Sequence, residues 1–229
     1  MYLQIRNYHM ANEILYALSA VNKTSAGHLS RLTLQKVLYL SGALAPLKSV
    51  LLAYLKFNAE NLGPYERTIQ NTIDHLVGIG LVNVIYFEET LKRGALTNYE
   101  ITDIGQEVVD RLSLYPHEEE KRWWISLVTC AVYTYLTADG LNGSIDDKVR
   151  SIVYQDPTYE PFRKKNLFRH LIDLTDRNGL TFQFAEFLKA YSAQKNVVSA
   201  DLSERKKVEI MLVTFMEYLY TGVLNEAQA

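Results

Sequence analysis

An enzymatic reading of this chain rests on histidine, the side chain that exchanges a proton near neutral pH. Of its five histidines, one pairs with a cation at helical spacing. Arg163 and His170 are seven residues apart, which puts them on one face of a helix, two turns from each other. A basic helix beginning after Pro161 and carrying Arg163, Lys164 and Lys165 explains both residues without catalysis, and that reading is favoured. Arg111 and His117 have a similar gap, but Pro116 breaks the geometry between them. His9, His28 and His75 have no partner at i+3 or i+4 that would make a metal site. Cys130 sits among Val128, Ala131 and Val132 with no cation beside it in sequence, so it reads as a small buried group rather than a nucleophile. Neither Gly-x-x-x-x-Gly-Lys nor Gly-x-Gly-x-x-Gly occurs, so no nucleotide loop and no cofactor is implied.

Nucleic-acid binding is the next chemistry to weigh. The formal net charge is −2, which removes the bulk electrostatic argument for it. Residues 1–60 carry six Lys/Arg against two Asp/Glu, and residues 61–111 carry four against eight. Residues 112–160 again carry four against eight, and residues 161–229 carry ten against eight. A phosphate-facing surface would therefore draw on Arg31, Lys36, Lys48 and Lys56, or on the clusters at 163–165 and 205–207. Solvated helix faces account for the same clusters and are preferred.

The elements that must position these residues are mostly helical. Apolar residues recur at helical spacing from Tyr8 to Val21, and again over more than one face from Leu32 to Ala45, where Pro46 ends the run. A short helix is expected over 47–56, then a turn at Asn61-Leu62-Gly63-Pro64 with Pro64 in the first turn of the next helix. That helix buries Ile69, Ile73 and Leu76, and Gly80 supplies its left-handed exit. Leu81 to Phe87 and Asn98 to Ile101 read as the strands of a hairpin with its tip at Lys92-Arg93-Gly94, and Thr102 caps a following helix. Pro116 and the run Glu118-Glu119-Glu120 mark a domain boundary near residue 115. Beyond it, helices are expected over 119–137, 144–154, 167–177 and 182–190. A final helix is expected from Asp201, boxed by Glu204, with a stripe of Leu202, Val208, Met211, Leu212, Phe215 and Leu219 packing inward. Trp123 and Trp124 are adjacent, so one can enter the core while the other anchors a partner. With 48% hydrophobic residues, no apolar run long enough to span a bilayer and no secretory leader, a cytoplasmic protein without a membrane role is expected.

Helices, a helix ending in Gly, a hairpin and a further helix is the element order of a winged helix. The string Phe57 to Tyr65, with its Gly63-Pro64-Tyr65, followed by Leu76-Val77-Gly78-Ile79-Gly80-Leu81, resembles the winged-helix signature, and Tyr99-Glu100-Ile101-Thr102-Asp103-Ile104-Gly105 is similar to its strand-to-helix junction. Ala11 to Leu15 and Leu32-Thr33-Leu34-Gln35-Lys36-Val37-Leu38-Tyr39-Leu40 resemble Panacea-type antitoxins and the small middle components of bacterial ABC-three-component and Lamassu defence systems. The resemblance covers about residues 10–110. It implies a mainly α protein, with an N-terminal winged-helix lobe bearing one hairpin (1–115) and a C-terminal helical bundle lobe (116–229). Panacea domains neutralise toxins by binding them, whereas middle components bridge an SMC-like or other ABC-type ATPase and an effector such as a nuclease; neither is catalytic. Glu60-Asn61-Leu62 before Gly63 departs from the antitoxin pattern, and the long helical second half exceeds an antitoxin's needs, which favours the middle-component reading. Arg163 and His170 also resemble the Arg-x(4–6)-His motif of HEPN ribonucleases, where the pair would support attack by a ribose 2′-hydroxyl, but Lys164 departs from that motif.

In a DNA-reading winged helix the helix after Gly-Pro enters the major groove. Here it offers Arg67, Gln70 and Asn71 beside Glu66 and Asp74, and the hairpin sets Lys92 and Arg93 against Glu88 and Glu89. Carboxylates repel phosphates, so protein docking is favoured over duplex reading, with DNA contact left to the complex as a whole. The contacts expected for a partner or for DNA are Arg67, Gln70, Asn71, Glu88, Glu89, Lys92, Arg93, Trp123, Trp124, Arg163, Lys164 and Lys165.

Overall fold

The computed structural model describes residues 2–22, 24, 27–48, 50, 52, 57–60, 63–90, 94–136, 144–159, 176–194 and 202–228. It is mainly α-helical with a small three-stranded sheet. Helix α1 (Tyr2–Asn22) begins before the periodic segment and buries Met10, Ile14, Leu15, Leu18 and Val21. Strand β1 (Leu29–Ser30) leads into α2 (Arg31–Leu44), capped by Ser30, whose hydroxyl oxygen accepts from the Thr33 amide at 2.9 Å. From Thr33 to Leu44 every residue of α2 is buried, as expected of a helix apolar on more than one face.

The expected helix over 47–56 is not seen where it is described: Ala45–Lys48 is a 3-10 turn, and Val50 and Leu52 lie outside any helix. Positions 49, 51 and 53–56 fall outside the described residues. The Gly-Pro segment is also not a turn into a helix. Strands β2 (Asn58–Glu60) and β3 (Gly63–Tyr65) pair antiparallel, with Ala59 opposite Pro64. A two-stranded ladder is all edge, so it tolerates the missing proline amide. Helix α3 (Arg67–Gly78) starts three residues after Pro64, capped by the Glu66 carboxylate, which accepts from the Thr68 amide at 2.9 Å. It buries Ile69, Ile73 and Leu76, each contributing about 1.5–3 kcal/mol, and exits through Gly80 at φ 78°.

Strands β4 (Val82–Thr90) and β5 (Gly94–Ile101) form the hairpin. The sheet order is β1-β5-β4, antiparallel throughout, so β5 is the inner strand and β4 an edge. The β4–β5 register slips once, between Val84 and Tyr86. Thr102 caps α4 (Asp103–Leu112), its side-chain oxygen accepting from the Gly105 amide at 3.0 Å. Gly105 is needed for a close approach: a Cβ there would lie 2.3 Å from the Leu81 carbonyl oxygen.

A turn at 113–115 falls where the domain boundary is expected, and α5 (Pro116–Leu136) follows with Pro116 at its first residue. Helix α6 (Ile145–Tyr154) is capped by Ser144, α7 spans Leu180–Gln194 and α8 spans Glu204–Gln228. The expected helix over 167–177 lies almost wholly outside the described residues. The last helix begins later than the Asp201 box implies: Ser203 stands at its cap, accepting on its side-chain oxygen from the Lys206 amide at 3.3 Å. Within α8 the stripe Leu212, Phe215 and Leu219 is buried, with the Phe215 ring 4.7 Å from that of Phe184. Helix α5 packs on α1 and α2, and α8 covers α5 and α6. Residues from both sides of position 115, among them Ile14, Leu38, Trp124, Val149 and Phe215, share one buried cluster. Among the described residues no helix is long and apolar enough to cross a membrane.

Candidate docking surface on the hairpin and the helix before it

The Leu-x-Leu-Gln-Lys-x-x-Tyr stretch of α2 holds the approach to α3. Gln35 pairs with the backbone of Glu66 as a peptide would. Its Nε2 donates to the Glu66 carbonyl and its Oε1 accepts from the Glu66 amide, both at 3.1 Å. The next residue, Lys36, donates from Nζ to the Pro64 carbonyl at 2.6 Å. Gly63, at φ 99°, is packed so closely that a Cβ would meet Lys36 Cε at 2.9 Å. One turn on, the Tyr39 hydroxyl donates to Asp156, whose other oxygen accepts from the Thr158 amide at 2.9 Å. Burial raises the Asp156 carboxyl, against the hydrogen bonds from Tyr39 and Thr158, and raises the Tyr39 phenol beside it. Gln35, Lys36 and Tyr39 are therefore structural residues: the first two hold the entry to α3, and the third holds the segment after α6.

On α3, Arg67 and Asn71 are exposed. Gln70 is already engaged: its Nε2 donates to Asp74 at 2.7 Å and to the Tyr99 hydroxyl of β5 at 3.0 Å. Of the three side chains expected to read bases, two are open to a partner and one is tied to its own sheet.

The hairpin divides by strand. On β5, Thr97 and Tyr99 are buried, and burial raises the Tyr99 phenol. On β4, Val84, Ile85, Tyr86 and Phe87 are 43%, 44%, 46% and 63% exposed, so side chains on both faces of this strand meet solvent. Glu88 and Glu89 beside them are exposed, and the Tyr86 hydroxyl donates to Glu88. Neither strand contains a Lys or Arg. Lys92 and Arg93 lie outside the described residues, as do Arg163, Lys164, Lys165 and His170.

The tryptophan pair is resolved by its neighbours. Trp124 is fully buried, and its indole N–H donates to the Ser41 carbonyl at 3.0 Å, so it is a core residue and not a partner contact. Trp123 is half-buried beneath Arg205, whose guanidinium stands 4.8 Å from the ring centroid. The same guanidinium forks onto Glu119 at 3.0 and 2.9 Å and reaches Glu120 at 2.9 Å, pinning α8 to α5.

Sequence spacing alone misses one cluster. His9, Asn12 and Tyr16 fall on one face of α1 and meet α5 at Glu118, a buried residue. The Tyr16 hydroxyl donates to Glu118 at 2.6 Å, and Lys121 and His9 lie 3.3 and 3.6 Å from the carboxylate, with His117 at 3.5 Å. Burial alone would raise the Glu118 carboxyl, but the Tyr16 hydrogen bond and the Lys121 charge outweigh it and hold it below the usual range. Burial, with Lys121 beside it, lowers His9. The cluster joins the two halves of the chain. The only sequence signal is the spacing of His9, Asn12 and Tyr16 at i, i+3 and i+7 on α1, which also carries Gln4, Arg6, Asn7 and Glu13. Cys130 is half-buried, its thiol raised by burial and by Glu209, which suits a packing role. Among the described residues no three His, Cys, Asp or Glu side chains form a group able to hold a metal ion. No family model matches the chain, and no curated protein matches it.

Proposed function

We propose that the protein is a non-catalytic docking subunit of a bacterial defence complex, bridging an SMC-like or other ABC-type ATPase and an effector nuclease. The observation that carries this reading is the outer strand of the hairpin. Four successive apolar residues, Val84 to Phe87, are exposed beside Glu88 and Glu89, on strands without a cation. Contiguous exposed apolar surface with aromatic anchors suits a polypeptide partner, whereas a phosphate backbone draws on Lys and Arg for most of its nonspecific affinity. Gln70, bonded to Asp74 and Tyr99, further reduces what α3 can offer to base edges. The resemblance of Ala11 to Leu15 and of Leu32 to Leu40 to the middle components supplies the class of partner. The role is positional: the hairpin and neighbouring helical surface hold the effector inactive until the ATPase engages foreign DNA. The cytoplasm is the compartment this role requires.

The test is co-purification with an ATPase and effector encoded beside this chain, using wild type and Ile85→Asp. Loss of co-purification in Ile85→Asp, with Arg67→Ala unchanged, supports docking through the hairpin. Salt-sensitive binding of the purified chain to a random duplex, lost in Arg67→Ala, overturns it in favour of a DNA-binding regulator.

A further inference from the structure

Strand β4 is nine residues long, and among the described strands it pairs only with β5, so no described strand takes up the backbone amides and carbonyls of its other side. Edge strands are ordinarily protected by a Pro, a Lys, a bulge or a covering segment, because a bare edge recruits another strand. β4 contains neither Pro nor Lys, and its side chains from Asn83 to Glu89 are exposed. Its one irregularity lies between Val84 and Tyr86; from Tyr86 to Thr90 it pairs residue for residue with Asn98 to Gly94. The stretch beyond the bulge is thus regular, apolar at its start and open.

We propose that this edge pairs antiparallel with β4 of a second copy of the chain about a two-fold axis at Phe87, joining two three-stranded sheets into one of six strands. The proposal rests on the reading of the hairpin as a protein contact and adds its occupant. Charge selects the register. An axis at Glu88, the middle of the regular stretch, would set two carboxylates directly opposite each other, which is destabilising. Pairing about a residue conserves faces, so moving the axis to Phe87 keeps every side chain on its own face. There, Phe87 meets the partner's Phe87 and Tyr86 meets the partner's Glu88. The Tyr86 hydroxyl already donates to Glu88 along its own strand, and the pairing offers it an equivalent carboxylate across the axis. An axis at Ile85 would place the centre on the bulge, where the ladder is broken. The most exposed residue of the four, Phe87, is the one buried twice over.

The test is the mass of the full chain in solution by light scattering, read beside two variants. Wild type is expected at twice 26.3 kDa, and Phe87→Glu, which sets carboxylates face to face at the axis, is expected at the monomer mass with an unchanged circular dichroism spectrum. In a Cys130→Ser background, Phe87→Cys is expected to crosslink into dimers on oxidation, whereas Asn83→Cys, four residues from the axis, is not. A wild-type chain monomeric at about 0.1 mM overturns the self-pairing, as does a dimer that survives Phe87→Glu and leaves Phe87→Cys uncrosslinked. A monomeric wild type that still co-purifies with the ATPase and effector overturns the self-pairing alone, and a dimer that does not co-purify with them overturns the docking role alone.

Discussion

Replacing Gly105 by Ala tests how tightly α4 is seated on the start of the hairpin. The added Cβ would stand 2.3 Å from the Leu81 carbonyl oxygen and 2.8 Å from Ile101 Cγ1, and the first of these is backbone that cannot rotate away. Restoring ordinary contact requires α4 and the Gly80–Leu81 turn to separate by about 1 Å. Two hydrogen bonds bridge that gap, from the Thr102 amide to the Leu81 carbonyl at 3.1 Å and from the Thr102 hydroxyl to the Gly80 carbonyl at 2.9 Å. Losing one of them costs about 1 kcal/mol, and overpacking adds about 1–3 kcal/mol. The better helix propensity of Ala returns at most about 1 kcal/mol. The net expectation is destabilisation by about 2 kcal/mol, which for a chain of this size lowers Tm by about 4–8 °C. Gly78→Ala is the control: it is also helical, nothing lies within 4 Å of its Cβ position, and it should gain a few tenths of a kcal/mol, at most about 1. Urea denaturation followed by circular dichroism measures both. If the two variants shift the midpoint in the same direction, or Gly105→Ala stays within about 0.5 kcal/mol of wild type, the close packing argued for residue 105 is wrong.

Removing the Gln35 amide, by Gln35→Ala, leaves the Glu66 amide without its partner and takes one of two donors from the Glu66 carbonyl, which keeps the Ile69 amide at 3.2 Å; the expected loss is about 1–3 kcal/mol, with faster hydrogen exchange at Glu66 as the local readout. Trp124→Phe strips the donor from the buried Ser41 carbonyl and should cost about 1–3 kcal/mol, whereas Trp123→Phe should change stability much less. The Glu118 cluster sets the acid response. A carboxyl held below its ordinary value contributes stability that is present above the unfolded carboxylate range and is lost as pH falls through the folded value. The lowered His9 acts in the same sense, beginning near its unfolded value of about 6.5. The urea midpoint should therefore decline on acidification, first with His9 and then with Glu118, and Glu118→Gln should flatten the lower part of that decline. An unchanged slope in Glu118→Gln would show that other carboxylates govern it.

Local signals carried the parts of the fold that are locally determined. The 3.6-residue stripe of α3, the Gly80 exit, the Thr102 cap and the β-branched run of β4 each act within a few residues, and each is where periodicity places it. The Gly-Pro segment reads locally as a turn into a helix because its determinants lie elsewhere: Gln35 and Lys36 hold it from α2, 28 residues or more away along the chain. A longer separation hides the Asn12, Tyr16 and Glu118 cluster, whose hydrogen bonds span 106 and 102 residues. The tryptophan pair could be divided only by the Ser41 carbonyl and the Arg205 guanidinium. At the start of α8, Asp201 and Ser203 are both cap-forming types, and only the bond to the Lys206 amide distinguishes them. Of the expected contact surface, Arg67, Asn71, Glu88 and Glu89 are exposed as required, Gln70 is tied down, and Trp124 belongs to the core.

Three grips leave α2 within five residues: Gln35 on Glu66, Lys36 on Pro64, and Tyr39 on Asp156. The first two reach forward to the start of α3, and the third reaches across to the segment after α6. Every residue of α2 from Thr33 to Leu44 is buried, so a single packed element carries both the entry to α3 and the exit from α6.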